Sequence, residues 1–481
     1  MDLKNKKVLL VGLGILGGGV SMAKFLLKNG ANLTITDLRT KKELKGSLGS
    51  LKDKKIKFTL GRHAIRDFKD ADIIIFNPAV SYFSPWTKIA KKYNKEFYND
   101  FTLFLKSLEE QNPEANYIGI TGTRGKTTTA TWLSRIIPGA TLGGNIPEKG
   151  LQNIKINSKD FILELSSFQL EYFHKGLKPP KIAIITNFYT DHLNRYGTMA
   201  KYFDMKSRIF LSQTKNDFLI LNADDEYTKK FLAKKPKGQV YLFSLKKLPQ
   251  NKNGLYFKGQ KIIFQEFGKI QNITKVLSLA DHEKANLLPS MLAAHLYGIG
   301  WPQIAGKIKA LPNVNFRQEV VKNTKKWKVI NNSAGTSPDA TVAAIEKFSS
   351  YPNFILITGG TDKSLDFSKL AKKIKQCVKA KDMYLFEGTA TDKLVGELNK
   401  LKYFEKADGQ IFTNLSEIVK EISEHQNGTV VFSPASASFG KFKNEFDRGR
   451  KFNNLVKRYL GACSKSHRKN KEETDLSVEI S

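Results

Sequence analysis

Short apolar runs alternate with amphipathic stretches along most of this chain. In the first hundred residues, runs at 7–11, 32–37, 56–60 and 72–76 are separated by segments with helical periodicity. Apolar runs of this length between helical segments are typical of strands buried in a parallel sheet. The pattern therefore predicts βαβ units and an α/β fold.

The same alternation occurs in two further regions. Apolar runs at 117–121, 160–165, 181–186 and 217–221 precede a predicted helix from about His282 to Tyr297, and a third set lies at 327–330, 354–358, 382–386 and 429–433. We predict an α/β fold with three domains, at residues 1–111, 112–312 and 313–463, and a disordered polar tail at 464–481. The outer two are predicted to be Rossmann-like and the central one to be of the P-loop ATPase type, with a hinge at Leu311-Pro312.

Composition adds a strong positive charge. Lys and Arg outnumber Asp and Glu by 79 to 45, which gives a net charge of +34 over 481 residues. Such a charge fits nucleic-acid binding or an anionic substrate, but the lysines are dispersed, which favours a general surface property. Cys377 and Cys463 are the two cysteines, too few for a disulfide framework, so we expect a reducing cytoplasm. The apolar run 8–20 follows three lysines but contains five glycines, which argues against a signal peptide.

The segment Tyr117-Ile-Gly-Ile-Thr-Gly-Thr-Arg-Gly-Lys-Thr-Thr-Thr129 combines an apolar strand, a glycine loop and a helix start. Gly122 and Gly125 would let backbone N–H groups turn toward phosphate oxygens. Lys126 would meet the terminal phosphates, and the Thr127 hydroxyl is suited to Mg²⁺. Ile120 stands where the general Walker pattern has glycine, so an ordinary strand–turn–helix is the alternative.

The spelling T-G-T-x-G-K-T-T resembles the phosphate loop of the Mur ligase and folylpolyglutamate synthetase superfamily, ATP-dependent enzymes that form amide bonds. Further motifs follow in family order between about residues 7 and 460. The resemblance implies catalytic roles for Lys126, His192, Lys206 and Arg317. It implies ATP binding by Gly122, Thr123, Arg124, Gly125, Lys126, Thr127, Thr128, Asn286, Arg317 and Asn332. A helix-capping role would explain Asn286 equally well.

Gly12-Leu-Gly-Ile-Leu-Gly17, followed by Asp37 at the end of the next strand, fits the dinucleotide-binding fingerprint. Alone it would suggest an NAD-dependent dehydrogenase or a tight turn without a ligand, but a second nucleotide site downstream argues against a simple dehydrogenase. The resemblance implies that this loop binds the UDP part of the substrate. The residues implied are Gly14, Ile15, Leu16, Asp37, Arg39 and Asn145. Ala79 stands where the family usually has glycine, and a positive φ there would be strained.

Glu164 lies in a predicted buried strand and His192 follows another, and a polar side chain at such a position needs a partner. The resemblance implies that they hold Mg²⁺ together with Thr127, with two ions in all. It also implies that Lys206 is carbamylated, which makes it an anion able to approach metal ions. A structural hydrogen-bonded pair of Glu164 and His192 is the alternative.

The third region carries the motifs that distinguish members of the family. Asn315-Phe-Arg-Gln-Glu319 resembles the segment that places an arginine, here Arg317, against ATP phosphates. The segment 432–444 with Asp447-Arg-Gly449 resembles the signature of the D-glutamate-adding members. The D-glutamate ligands implied are Thr336, Lys363, Ser438 and Phe439.

The resemblance implies an ATP-dependent ligase that joins D-glutamate to UDP-N-acetylmuramoyl-L-alanine through an acyl phosphate, in cytoplasmic peptidoglycan precursor synthesis. The cofactors implied are ATP and Mg²⁺. We expect a monomer that neither binds nucleic acid nor inserts into a membrane. Three alternatives stay open: a Mur-type ligase for another amino acid, a folylpolyglutamate synthetase-like enzyme, and a basic NTP-dependent nucleic-acid-binding protein.

Overall fold

The computed structural model describes residues 2–51, 55–146, 149–276, 279–312, 314–363, 365–404, 411–438, 441–442 and 444–461. These residues form three sheets flanked by helices, which confirms the predicted α/β class. The chain divides into two compact units, one up to Val314 and one from Asn315 onward. The predicted tail at 464–481 lies outside the described residues.

The first unit begins with a five-stranded parallel sheet. Its strands are β1 (Lys7–Val11), β2 (Asn32–Asp37), β3 (Lys57–Leu60), β4 (Ile73–Phe76) and β5 (Glu96–Tyr98), and its helices are α1 (Gly18–Lys28), α2 (Lys45–Gly49), α3 (Ile65–Asp70), α4 (Pro85–Lys92) and α5 (Asp100–Gln111). The strands lie in the order β3-β2-β1-β4-β5. Because the order reverses between β1 and β4, the loops after these two strands border a crevice at the carboxyl edge of the sheet.

The second sheet of this unit has nine strands. They are β6 (Asn116–Thr121), β7 (Thr141–Gly144), β8 (Asp160–Glu164), β9 (Ile182–Ile185), β10 (Phe218–Asn222), β11 (Gln239–Ser244), β12 (Gly254–Lys258), β13 (Lys261–Glu266) and β14 (Lys269–Lys275). Their order is β14-β13-β12-β11-β10-β9-β6-β8-β7. Pairing is parallel from β12 to β7, whereas β12, β13 and β14 pair antiparallel at one edge.

Helices cover both faces of this sheet. They are α6 (Lys126–Ile136), α7 (Ser167–Leu170), α8 (Leu193–Tyr196), α9 (Met199–Leu211), α10 (Thr228–Ala233), α11 (Asp281–Leu296) and α12 (Trp301–Lys307). One core contains residues of α5 and α9, and the other contains residues of α6 and α11. The alternation of apolar side chains along strands such as β8 and β9 supplies both cores, which explains why these strands are apolar throughout.

The second unit is a six-stranded sheet with its own cores on both faces. Its strands are β15 (Glu319–Asn323), β16 (Trp327–Asn331), β17 (Phe354–Gly359), β18 (Met383–Phe386), β19 (Ile411–Phe412) and β20 (Gly428–Phe432), and its helices are α13 (Pro338–Phe348), α14 (Ser368–Cys377), α15 (Thr389–Lys400), α16 (Leu415–Ser423) and α17 (Glu445–Leu455). The order is β15-β16-β20-β17-β18-β19, and pairing is parallel except between β15 and β16. Strand β20 therefore lies between β16 and β17, and the loops after these three strands share one edge.

Across the described ranges, every helix falls short of the length and apolarity that crossing a bilayer requires.

Candidate active site

Three loops with polar residues meet at the carboxyl edge of the nine-stranded sheet. Strand β6 leads into the glycine loop at 122–125, and its neighbours are β8 and β9. Glu164 ends β8, and residues 186–192 follow β9. Parallel strands therefore bring together the segments that the sequence identified separately.

The glycine loop has a conformation and surroundings that require glycine. Gly122 has φ +146° and Gly125 has φ +79°, a region that side chains disfavour. A Cβ on Gly122 would lie 1.9 Å from Thr186 Oγ1, and one on Gly125 would lie 2.1 Å from Asn286 Oδ1. Gly125 directly precedes α6, so the first N–H groups of that helix are available to an anion. The loop thus has the geometry of a phosphate cradle.

The loop is held by residues that follow β9, a role the sequence interpretation missed. The Arg124 N–H donates to Asn187 Oδ1 at 2.9 Å, and Thr186 Oγ1 donates to the Arg124 carbonyl at 2.6 Å. The Thr123 N–H donates to the Asn187 carbonyl at 3.0 Å. The position of Thr186 and Asn187 in the sequence could have indicated this role, because polar residues directly after a buried parallel strand lie at the same sheet edge as the glycine loop.

Lys126 and Thr128 begin helix α6 beside the loop. Lys126 Nζ donates to the carbonyls of Gly122 and Thr123 at 3.0 and 3.1 Å, so its charge lies over the loop. Thr128 is buried within the first turn of α6. The Arg124 guanidinium lies 5.0 Å from the ring centroid of Tyr189.

Asn286 lies in the second turn of α11 and contacts the glycine loop. That helix begins at Asp281 after the N-cap residue Ala280, whose N–H donates to Glu283 Oε2 at 2.9 Å. The capping alternative for Asn286 is therefore wrong. Its side chain instead occupies the space that a side chain on Gly125 would need.

Thr127 and Glu164 form a buried, hydrogen-bonded pair of oxygen-bearing side chains under the loop. Thr127 Oγ1 donates to Glu164 Oε2 at 2.7 Å. Asn145, which follows the neighbouring strand β7, donates its N–H to the Glu164 carbonyl at 2.8 Å. Hydroxyl and carboxylate oxygens suit Mg²⁺, which usually keeps only one or two protein ligands and completes its shell with phosphate and water. The pair therefore fits Mg²⁺ bound together with a nucleotide.

His192 follows β9 at the same sheet edge. It precedes α8 with φ +54°, an uncommon conformation for a residue with a side chain. Its ring centroid is 5.0 Å from that of Phe168 and 5.7 Å from that of Tyr202, and Nε2 lies 3.7 Å from Asp191 Oδ2. These contacts fix the orientation of the imidazole.

Lys206 reaches the glycine loop from helix α9. Its side chain is almost fully buried, and Nζ donates to the Gly122 carbonyl at 2.8 Å. Burial, and secondly the charge of Lys126, lower the pKa of Lys206 well below its ordinary value. Lys206 therefore lies beside the phosphate loop with a lowered basicity, a position that no spacing in the sequence revealed.

The first glycine loop is braced by Asp37. The Gly14 N–H donates to Asp37 Oδ2 and the Arg39 N–H to Asp37 Oδ1, both at 2.8 Å, with Arg39 Nη1 3.6 Å from Oδ1. Ile15 and Leu16 are each about half exposed. Asp37 thus shapes the loop, and the tip of the loop presents Ile15 and Leu16 to solvent.

Ala79 does not suffer the strain expected from its replacement of glycine. Its φ is not positive, unlike that of the glycines in the neighbouring loop. Alanine is therefore compatible with the backbone at this position.

In the second unit, the loops after β16, β17 and β20 meet at one edge. Lys363 Nζ donates to Thr336 Oγ1 at 3.2 Å, which joins two of the predicted D-glutamate ligands. The Ala437 N–H donates to the Thr361 carbonyl at 2.9 Å, so Ser438 lies beside the segment that leads to Lys363. Ser438 Oγ is buried and makes no hydrogen bond with the residues described. Phe439 lies outside the described residues.

Asn332 uses its side chain to join these loops. Its amide donates to Ser433 Oγ at 2.9 Å and to the Ala340 carbonyl at 3.3 Å, and its carbonyl accepts the Gln318 N–H at 3.2 Å. The side chain is buried. A nucleotide that contacts the Asn332 side chain would have to bind beside these hydrogen bonds or replace one of them.

Left-handed backbone recurs at the predicted motifs. Besides His192, it occurs at Phe316 and Gln318, on either side of Arg317, and at Ala435, with φ between +50° and +62°. Such positions cost energy and persist where the surrounding structure enforces them, which occurs most at functional sites. Positive φ values also occur outside these motifs, for example at Phe267 and Lys402, so the backbone geometry alone does not identify the site.

Arg448 is a buried residue that connects two loops of the second unit. The sequence pattern gave it no role beyond its place in the 447–449 motif. Its guanidinium donates to Ser333 Oγ at 3.1 Å and to the carbonyls of Ser333, Ser436 and Ala437 at 2.8, 3.1 and 3.1 Å. Burial lowers its pKa to about 10. Arg448 thus ties the loop after β16 to the loop that carries Ser438.

Comparisons with known proteins agree with this geometry. Residues 120–294 match the Mur ligase middle domain, and residues 6–98 match the Mur ligase MurD-like N-terminal domain. A UDP-N-acetylmuramoylalanine--D-glutamate ligase from Borreliella afzelii is 37% identical over 95% of this chain and 98% of that protein. One of the same name from Clostridioides difficile is 35% identical, over 95% and 99%.

Solved structures show the same fold at lower identity. UDP-N-acetylmuramate-alanine ligase MurC from Thermotoga maritima aligns with a TM-score of 0.59 and 19% identity, covering 95% of this chain and 100% of that one. MurF ligase from the same organism, solved with ADP, aligns with a TM-score of 0.56 and 14% identity, covering 96% of each chain. The chain belongs to the Mur ligase family of ATP-dependent ligases.

Proposed function

We propose that this chain joins D-glutamate to UDP-N-acetylmuramoyl-L-alanine at the expense of ATP, in peptidoglycan precursor synthesis. The observation that carries the proposal is the buried Thr127–Glu164 pair beneath a glycine-capped helix start, in a chain 37% identical to a ligase of that name. An oxygen pair at a helix N-terminus suits a magnesium–nucleotide complex. The D-glutamate signature at 432–449 favours this amino acid over others.

The first step is activation of a carboxylate. An oxygen of the alanyl carboxylate attacks the γ-phosphorus of ATP. The bond between that phosphorus and the β,γ-bridging oxygen breaks, so ADP departs and an acyl phosphate forms. Lys126 and the N–H groups of the glycine loop offset the charge on the phosphoryl oxygens, with Arg317, Asn286 and Asn332 as further ATP ligands. Mg²⁺ at Thr127 and Glu164, and a second ion with His192, would neutralise developing charge when bound.

The second step forms the amide. The amine of D-glutamate attacks the acyl carbon, and the tetrahedral intermediate collapses with release of phosphate. We assign D-glutamate to Thr336, Lys363, Ser438 and Phe439, and the sugar nucleotide to Gly14, Ile15, Leu16, Asp37, Arg39 and Asn145. The Lys363–Thr336 contact and the buried Ser438 hydroxyl support the first assignment, because a carboxylate needs a cation and hydroxyl donors. The exposed tip of the first glycine loop supports the second.

We further propose that Lys206 carries a carbamate. In its uncharged form the amine would attack CO₂, forming an N–C bond and releasing one proton to water, and the resulting anion would serve as a metal ligand. The buried position at the Gly122 carbonyl supports this, since a protonated lysine would repel both Lys126 and the ions. Protein incubated with ¹³C-bicarbonate should give a carbamate carbonyl NMR signal that Lys206→Met abolishes. Identical spectra for the two proteins would refute the carbamate.

We infer a three-domain organisation in which residues 1–111 bind the sugar nucleotide, 112–312 bind ATP and 313–463 bind the amino acid. We also infer a cytoplasmic monomer that needs neither nucleic acid nor membrane insertion. The intracellular supply of ATP and the low cysteine content support the cytoplasmic location.

An amino-acid scan tests the proposed function. Phosphate release is measured with ATP, Mg²⁺ and UDP-N-acetylmuramoyl-L-alanine while D-glutamate, L-lysine, diaminopimelate and L-alanine are supplied in turn. We expect phosphate release with D-glutamate and with none of the other three amino acids. Equal turnover with another amino acid, or without any, would contradict the assignment.

A further inference from the structure

A buried ion pair outside the proposed catalytic set joins two parts of the first unit. Glu171, just beyond α7, is fully buried, and Arg195 on α8 is 13% exposed. Arg195 Nε lies 2.6 Å from Glu171 Oε1, and Nη2 lies 2.9 Å from Oε2. The guanidinium carbon also lies 4.1 Å from the ring centroid of Phe168. The two side chains therefore form a bidentate pair with a fixed orientation.

The same pair holds the loop that follows β4 in the five-stranded sheet. Arg195 Nη1 donates to the Ala79 carbonyl at 2.6 Å, and Nη2 donates to the Pro78 carbonyl at 3.0 Å. Glu171 Oε2 accepts the Tyr82 N–H at 2.9 Å and the Ser81 hydroxyl at 3.2 Å. Each member of the pair thus binds both its partner and the loop at 78–82.

That loop lies against the first glycine loop. A Cβ placed on Gly12 would be 3.1 Å from Asn77 Cβ and 3.3 Å from Val80 Cγ2. The two loops border the crevice between β1 and β4, the site we assign to the sugar nucleotide. A shift of the 78–82 loop would therefore change the shape of that crevice.

At its other end, the pair lies one helical turn from His192. The N–H groups of Arg195 and Tyr196 both donate to the His192 carbonyl at 3.0 Å. The left-handed conformation of His192 is thus fixed by the short helix that Arg195 anchors. One guanidinium therefore holds two segments that are far apart in the sequence.

We propose that Glu171 and Arg195 are positioning residues that hold the 78–82 loop in a fixed relation to helix α8 and His192. Their role is to deliver the sugar nucleotide, bound at the first crevice, to the phosphate loop with its carboxylate in place. This inference rests on the proposed function for the identity of the substrate. This role requires the planar, forked guanidinium of arginine. The single ammonium of lysine cannot reach the Glu171 carboxylate and the carbonyls of Pro78 and Ala79 at the same time.

The test combines hydrogen exchange with steady-state kinetics of Arg195→Lys and Glu171→Gln. Arg66→Lys is the matched control, because Arg66 makes an exposed ion pair with Asp70 on α3. We expect the Tyr82 amide to exchange about tenfold faster in both variants, and KM for the sugar nucleotide to rise about tenfold, with KM for ATP changed less than about twofold. Arg66→Lys should match the wild type in both measurements.

Several results would overturn the proposal. A fall in melting temperature without any change in exchange or KM would show a purely structural pair. Unchanged exchange at Tyr82 would show that the loop is held by other contacts, and an equal rise in KM for ATP would show a general disturbance. If the wild type fails to use the sugar nucleotide, the proposed function fails, whereas the exchange result still decides whether the pair holds the loop.

Discussion

At the scale of single residues, the candidate site depends on contacts that only certain side chains can make. Thr127 donates its hydroxyl to Glu164, and Gly125 leaves room for Asn286. Each contact joins residues far apart in sequence. Each can be tested by a substitution that removes the hydroxyl or adds a methyl group.

Removing the Thr127 hydroxyl should disable the enzyme without unfolding it. We expect Thr127→Ala to lower kcat by about 100-fold, because one oxygen of the Mg²⁺–nucleotide site is lost. Thr127→Ser should retain most activity, since it keeps the hydroxyl. Thr131→Ala, one turn further along α6, controls for effects on the helix, and a loss of activity there as large as in Thr127→Ala would argue against a special role for Thr127.

Adding a methyl group at Gly125 should disrupt ATP binding. The new Cβ would lie 2.1 Å from Asn286 Oδ1 at φ +79°. Gly139 has a similar φ of +81°, but a Cβ there would have no atom within 4 Å, so Gly139→Ala isolates the backbone strain from the clash. We expect ATP affinity, measured by calorimetry, to fall at least about tenfold in Gly125→Ala and to be unchanged in Gly139→Ala. Equal affinities in the two variants would contradict the crowded geometry.

At the scale of elements, most of the buried parallel strands were predictable, whereas β11, the antiparallel edge and the shortest strands were not. Predicted strands at 7–11, 32–37 and 160–165 match β1, β2 and β8 within a residue. The antiparallel edge formed by β12 to β14 was missed. For β14 the reason is that the strand is mostly polar and exposed and lacks a clear apolar alternation. Strands β5 and β19 have three and two residues, and they exist only because a neighbouring strand pairs with them.

The candidate site was predictable as a set of loops but not as a set of contacts. Polar residues at the ends of buried strands indicated one sheet edge, and the structure places Thr127, Glu164 and Lys206 there. The partners of these loops come from distant segments, as with Asn286 at Gly125 and Arg195 at Ala79. Tertiary packing sets such pairings, and no local pattern encodes them.

The start of helix α5 should make stability depend on pH. Burial raises the pKa of Asp100 to about 6, although its Oδ2 accepts a hydrogen bond from Gln169 Nε2 at 2.8 Å. Because the folded pKa exceeds the ordinary value of about 4, the stability that Asp100 contributes when protonated is lost as pH rises through about 6. Asp100→Asn stays neutral, so its melting temperature should exceed that of the wild type at pH 8 and by a smaller margin at pH 5.

The control for this prediction is Asp70→Asn, which changes an exposed carboxylate on α3. It should shift the melting temperature little at either pH. An Asp100→Asn effect that is the same at pH 5 and pH 8 would exclude titration of Asp100 as the cause.

At the scale of the whole molecule, the two compact units have separate hydrophobic cores. Apolar side chains cover both faces of the six-stranded sheet within residues 315–461. A fragment of these residues should therefore fold alone and show one cooperative thermal transition by circular dichroism. A fragment without near-ultraviolet signal or cooperative melting would contradict this.

The central claim is that the phosphate loop activates a carboxylate for amide formation. The most direct measurement is isotope transfer from UDP-N-acetylmuramoyl-L-alanine labelled with ¹⁸O in its alanyl carboxylate, turned over with ATP and D-glutamate. The account predicts that one ¹⁸O appears in each phosphate released, together with an equal amount of the amide product. Phosphate without ¹⁸O, released at the same rate, would show ATP hydrolysis without acyl-phosphate formation and would contradict the account.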